Sequence, residues 1–150
     1  MANYCDFVMK VKGSESSLSS FKDIMKRSEA YQSNGILAGL IQYQDTEILN
    51  TCIFLSGQCK WSIATSFMDG LGSYYSDSLK DKASFPYELT NLVKLAKELK
   101  LTIEVFGEEP GMSFMEYVLI TPEEVVEDIC KDMDFTTSKG TVVKYGEFTI

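Results

Sequence analysis

Residues 3–13, NYCDFVMKVKG, followed by residues 14–30, SESSLSSFKDIMKRSEA, carry the reading on which the fold depends. In the first stretch Cys5, Phe7, Met9 and Val11 fall on one side of an extended chain, and Asp6, Lys10 and Lys12 on the other, with Val8 the exception. A period of two predicts a half-buried strand, closed by Gly13. In the second stretch Leu18, Phe21, Ile24 and Met25 recur at helical spacing, while Lys22, Asp23, Lys26 and Arg27 take the outer face. Ser14, Ser16 and Ser17 supply N-cap chemistry, and Asn34-Gly35 is the breaker beyond Ala30.

The rest of the chain is read outward from this strand and helix. Residues 36–43 (ILAGLIQY) and 47–56 (EILNTCIFLS) predict two strands joined through Gln44-Asp45-Thr46, since Ile, Phe and Thr favour strands and the connection is polar. Trp61, Ala64, Thr65 and Met68 predict a second, short helix anchored in the core by Trp61 and stopped by Gly70 and Gly72. Residues 71–85 are polar and punctuated, as a loop is. Pro86 suits a first helical position, and Leu89, Leu92, Val93, Leu95, Ala96 and Leu99 mark the helix that follows. Residues 101–106 alternate as a strand, Glu108-Glu109-Pro110-Gly111 predicts a turn, and residues 114–120 return as the antiparallel partner. Residues 121–135 fit two readings. Thr121-Pro122-Glu123-Glu124 has the form of a helix N-terminus, and a strand through the same residues is equally compatible. Residues 141–149 read as a closing strand. The order β-α-β-β-α-β predicts one α+β domain over residues 1–150: a ferredoxin-like antiparallel sheet with helices packed on one face, an added short helix and a C-terminal strand extension.

Composition narrows the chemistry. The chain has 150 residues, 45% hydrophobic and 24% charged, which is enough for a core without staples. Fourteen Lys and Arg against 22 Asp and Glu give a net charge of −8, which opposes a phosphate backbone, so direct nucleic-acid binding is not expected. There is no histidine, which excludes Ser-His-Asp and Cys-His nucleophiles and His-ligated metal hydrolases within one chain. The chain reads as a non-enzyme with no catalytic residues and no cofactor. Cys5, Cys52, Cys59 and Cys130 include no C-x-x-C pair, so no metal site is expected and the thiols read as reduced and mostly buried. MANYCDFVMKVKG lacks an apolar signal-peptide core, and no apolar run is long enough to span a bilayer, pointing to a cytoplasmic protein without a membrane partner.

Three constellations remain. Ser56-Gly57-Gln58-Cys59-Lys60-Trp61 is a glycine turn before a helix, where Lys60 and backbone N–H groups could meet an anion and Lys60 could lower the Cys59 thiol pKa. Tyr74 and Tyr75, with Asp77, lie in the polar loop as aromatic anchors for a partner. Glu104, Glu108, Glu109 and Glu116 gather around the Pro-Gly turn as solvated charges suited to partner electrostatics.

Asn3-Tyr4-Cys5, Ser56-Gly57-Gln58-Cys59-Lys60-Trp61-Ser62 and the run from Glu104 through Glu108-Glu109-Pro110-Gly111 to Phe114 form a set. The set resembles the YubB-like or Api-like group of phage and plasmid proteins with a ferredoxin-like domain. That group reads N-[WY]-C, S-G-x-C-x-W-S and E-E-P-G-x-x-F-x-E at these places. The resemblance covers most of residues 1–120 and implies a ferredoxin-like fold, a mobile-element origin and a strand at 125–135. The group often carries His after the last Glu, where this chain has Tyr117 after Glu116, so chemistry resting on that His has no counterpart here. The expected function is a non-enzymatic inhibitor that binds a host defence protein, with anti-CRISPR or other anti-defence action as its concrete form and a nucleic-acid-binding defence nuclease as the target class. Its surface would be Tyr74, Tyr75, Asp77, Glu104, Glu108, Glu109 and Glu116. The alternative is a nucleotide or small-ligand protein using Lys60 and the carboxylates near the Pro-Gly turn. A homodimer stays open.

Overall fold

The period-two stretch forms strand β1 (Tyr4–Lys12), and its apolar side is removed from water: Cys5, Phe7, Met9 and Val11 are all 0–1% exposed. The computed structural model describes residues 3–29, 37, 39–68, 90–132 and 134–150. Helix α1 (Glu15–Glu29) starts where Ser14 Oγ accepts the Ser17 N–H at 3.2 Å. Its stripe of Leu18, Phe21 and Met25 is buried, each such side chain contributing about 1.5–3 kcal/mol. The chain continues through β2 (Leu40–Asp45), β3 (Cys52–Lys60), a π-helical turn (Ala64–Met68), α2 (Leu92–Leu99), β4 (Thr102–Glu109), β5 (Phe114–Ile120) and β6 (Val125–Lys131). Short strands β7 (Phe135–Thr136) and β8 (Val142–Val143) follow.

Six strands form one antiparallel sheet in the order β2-β3-β1-β4-β5-β6. The apolar residues of α1 and α2 join the Cys5, Phe7, Met9 and Val11 side of β1 in one core, so both helices lie on one face. The fold is α+β with the expected order of strands and helices.

Several boundaries differ from the sequence reading. The β2–β3 turn is not Gln44-Asp45-Thr46 but Asn50-Thr51, closed by Leu49 and Cys52 exchanging N–H···O bonds of 3.0 and 3.1 Å. Both turn residues have positive φ, 53° and 58°, the twist that a two-residue hairpin requires. Helix α2 begins behind Asn91, whose Oδ1 accepts the Lys94 N–H at 2.9 Å, and the reading of Pro86 as a first helical position lies outside the described residues. The loop reading of residues 71–85 also lies outside them. Residues 125–131 are strand β6. The Thr121 signal is real, but it builds a turn: Thr121 Oγ1 accepts N–H bonds from Glu123 and Glu124, and the Thr121 N–H returns to the Glu124 carbonyl.

The C-terminal residues do not form one closing strand. Among the described residues β7 and β8 pair only with each other, and the chain beyond them lies on the sheet face opposite the helices. Phe135, Val143, Tyr145 and Phe148 pack there around Phe106, whose ring centroid is 4.8 Å from that of Tyr117 and 5.4 Å from that of Phe148. β4 is therefore buried on both sides, with Ile103 and Val105 toward the helices and Phe106 toward the tail.

Glu104 holds this tail. It is 0% exposed, and its carboxylate accepts bonds from Tyr117 Oη at 2.6 Å, Thr149 N at 2.6 Å, Thr149 Oγ1 at 2.5 Å and Ile150 N at 3.4 Å. Lys10, opposite Glu104 on β1, donates to the Ile150 carbonyl. Glu104→Ala should free residues 144–150 from the sheet and cost about 2–3 kcal/mol, because the Tyr117 hydroxyl loses a charged acceptor in a dry site. Limited proteolysis read by mass spectrometry tests this: faster cleavage within 144–150 is expected, and wild-type cleavage rates would refute the clasp.

Candidate functional site

The end of the sheet where β1 begins and β3 and β4 finish brings two of the three sequence motifs together. Glu109 is 2% exposed and accepts N–H bonds from Gly111, at 3.2 Å, and from Met112, shaping the Pro-Gly turn from within. Glu116 is 5% exposed, and its carboxylate accepts the N–H groups of Ile63 at 2.6 Å and Ala64 at 3.2 Å. Those two amides open the π-helical turn and have no partner inside it. A glutamate on β5 thus caps a helical segment that follows β3.

Gly107, opposite Glu116, leaves room for this contact: a Cβ there would stand 2.5 Å from Ile63 Cδ1 and 3.1 Å from Cys5 Sγ. Burial raises the Glu116 pKa, the two backbone donors partly offset it, and Asp128 adds to it. The reading of Glu104, Glu109 and Glu116 as solvated partner charges is therefore corrected. All three are interior because each has a set of N–H or O–H donors that only the folded chain assembles. Their oxygens are occupied inside the protein.

The thiols beside this cluster are quiet. Cys5 and Cys59 face each other across β1 and β3, both 0% exposed. The hydrogen bond with Cys5 and burial hold the Cys59 thiol well above its usual pKa, which reverses the activation that Lys60 suggested. Cys52 is half-buried and Cys130 exposed, so burial extends to two of the four cysteines.

Glu108 is the exposed member of the predicted carboxylates, and the register places Asp6 directly opposite it. Like charges in that relation oppose pairing, so the arrangement carries a standing electrostatic cost. Gln58 Nε2 donates to Asp6 Oδ1 at 2.8 Å, and Tyr145, half-buried, lies near enough that burial and then Glu108 raise its pKa. At the same end of the sheet, Tyr4 begins β1, Trp61 follows β3 and Met112 lies in the β4–β5 turn, and they are 53%, 37% and 67% exposed. Trp61 is not a core anchor. Its φ of +67° turns the chain out of β3, and its N–H bonds the Asn3 carbonyl at 2.8 Å.

Tyr74, Tyr75 and Asp77 lie outside the described residues. Sequence reasoning missed Asp6, Tyr4, Trp61 and Met112. The alternation of β1 already put Asp6 on the outer side, but its neighbours depend on strand order. Among the described residues no group of three or more Cys, Asp or Glu is placed to hold a metal ion, and no helix is long and apolar enough to cross a membrane. Comparison with known proteins finds no matching family model, and no significant match among curated proteins or solved structures.

Proposed function

We propose that this is a non-enzymatic protein of a phage or other mobile element that acts in the host bacterial cytoplasm by binding and inhibiting a defence protein. Anti-CRISPR inhibition is the concrete form. The observation that carries the reading is the exposed Asp6–Glu108 pair at the sheet end that also exposes Tyr4, Trp61 and Met112, on a chain of net charge −8. Opposed carboxylates that weaken the sheet are well suited to a cationic surface, and neighbouring exposed aromatic and Met side chains are the residue types that anchor interfaces. The strand order β2-β3-β1-β4, with helices on one face, supports a ferredoxin-like core extended by β5 and β6. The alternative, a ligand site made by Lys60 and the turn carboxylates, is weakened because Glu109 and Glu116 bond backbone amides.

The test is an interference assay in bacteria carrying a defined CRISPR nuclease, paired with titration of the purified nuclease. Expression of the chain should restore transformation by a targeted plasmid. Reversing both charges, Asp6→Lys with Glu108→Lys, keeps a like-charge pair on the sheet while inverting its sign. That variant should lose protection and bind roughly 30-fold more weakly, the equivalent of about 2 kcal/mol. Equal protection by the variant would remove the acidic surface from the explanation. No protection against any nuclease in a broad panel would remove the function.

A further inference from the structure

A second concave surface lies away from that acidic end, where the β2–β3 hairpin arm overhangs β1. The groove has a volume of about 730 Å³, within the range of small-molecule sites, and is lined by Lys10, Lys12, Ile48, Leu49, Cys52 and Phe54 among others. Its apolar wall is unusually wet: Leu49 is 70% exposed, more than any other large hydrophobic side chain among the described residues, and Phe54 is 44% exposed. Its polar side is cationic in a chain of net charge −8. Lys10 and Lys12 stand two residues apart on β1 and share one side of the strand, opposite Phe54 and Cys52 of β3.

The two lysines are not equivalent. The Lys10 ammonium sits 5.4 Å from the Phe54 ring centroid and also donates to the Ile150 carbonyl. Lys12 is exposed, and among the described residues its ammonium has no hydrogen-bond or ion-pair partner. Glu47 is the single carboxylate on the wall. An uncovered apolar surface bordered by two ammonium groups, one of them unengaged, matches a molecule with the same two parts in reverse.

We propose that this groove binds an amphipathic anion, an apolar chain or ring bearing one carboxylate or phosphate. The anionic head sits at Lys12 with Lys10 beside it, and the apolar body lies over Leu49, Ile48 and Phe54. Binding would cover surface that folding leaves in water and would give Lys12 a charge-assisted partner. This site shares no residue with the proposed protein-binding surface, so either can fail without the other.

Calorimetric titration with dodecanoate, dodecyl phosphate and dodecanol, each below its aggregation threshold, tests the assignment. One molecule of either anion should bind per chain, and dodecanol roughly tenfold more weakly, as expected for one lost charge-assisted contact. Lys12→Glu should weaken dodecanoate at least tenfold without moving the unfolding midpoint. Lys26→Glu, the same charge change on the exposed face of α1, should leave affinity as it was. Leu49→Ser should weaken both the anions and the alcohol. Equal affinity for dodecanoate and dodecanol, indifference to Lys12→Glu, or binding only to vesicles of anionic lipid would each overturn the proposal.

Discussion

Glu116→Ala should lower the stability of the protein by about 3–5 kcal/mol, the sum of two backbone bonds to a charged acceptor and the desolvation of the amides left behind. For a chain of this length that corresponds to a fall of about 10 °C or more in the thermal midpoint. The loss is large because the Ile63 N–H is buried and cannot find water when the carboxylate is gone. Glu116→Gln keeps an acceptor oxygen in place and should cost less than half as much. The two variants also separate charge from shape. Burial raises the folded-state pKa above the ordinary 4.5, so the folded protein holds this proton more tightly than the unfolded chain. That contribution to stability is complete below pH 4.5 and is lost as pH rises through the raised value. The glutamine variant does not titrate, so the wild-type advantage over it should shrink as pH climbs through that window. Chemical denaturation at several pH values reads both effects. A flat difference would mean that Glu116 titrates normally.

The second large effect is expected at Gly57. A Cβ at this position would lie 2.0 Å from the Gln42 carbonyl oxygen and 2.8 Å from Tyr43 Cα. Both are backbone atoms of β2, and neither can turn aside as a side chain would. Gly57→Ala therefore has to push β2 off the sheet edge, and the cost should reach about 3 kcal/mol or more. Gly107 makes a useful contrast, because its nearest neighbour is the end of the Ile63 side chain, which can rotate. Urea unfolding of Gly57→Ala, with amide exchange followed along residues 40–45, should show lowered stability and an unprotected β2. Retained protection there would contradict the close approach.

These two residues show what the sequence alone could and could not reveal. β1 and α1 were legible because their burial follows local periodicity: every second residue from Cys5 to Val11, and Leu18, Phe21 and Met25 on one stripe. The hairpin turn was not, since Asn50-Thr51 lacks the glycine that usually marks a positive-φ pair, and Thr51 is a residue type that resists it. The region after Thr121 was ambiguous for a different reason. A threonine hydroxyl that accepts the following amides serves a turn and a helix start equally well, and only pairing with β5 decides between them. The site was hardest of all. Glu104, Glu109 and Glu116 look like surface charges in any window of sequence, while the donors that draw Glu104 and Glu116 inside come from Thr149, Ile63 and other residues remote in the chain. Glu108, without such donors, is the exposed one. The motifs that suggested a functional group of proteins are thus, in good part, the parts that hold this architecture together.

The position of β1 between β3 and β4 also governs how the chain can assemble. β1 precedes both of its partners in the chain: one flank pairs Tyr4 with Lys60 and the other pairs Asp6 with Glu108. During synthesis it must wait for partners that emerge late, and its apolar side chains have no finished surface to join until most of the chain exists. Closing such long loops adds little to the final free energy, since each doubling of loop length costs only about 0.6 kcal/mol. It weighs on speed instead, because distant contacts reward the chain only after their entropy has been lost. The arrangement that bonds this sheet at its centre therefore closes it only once β4 is in place, a topology that favours slower folding.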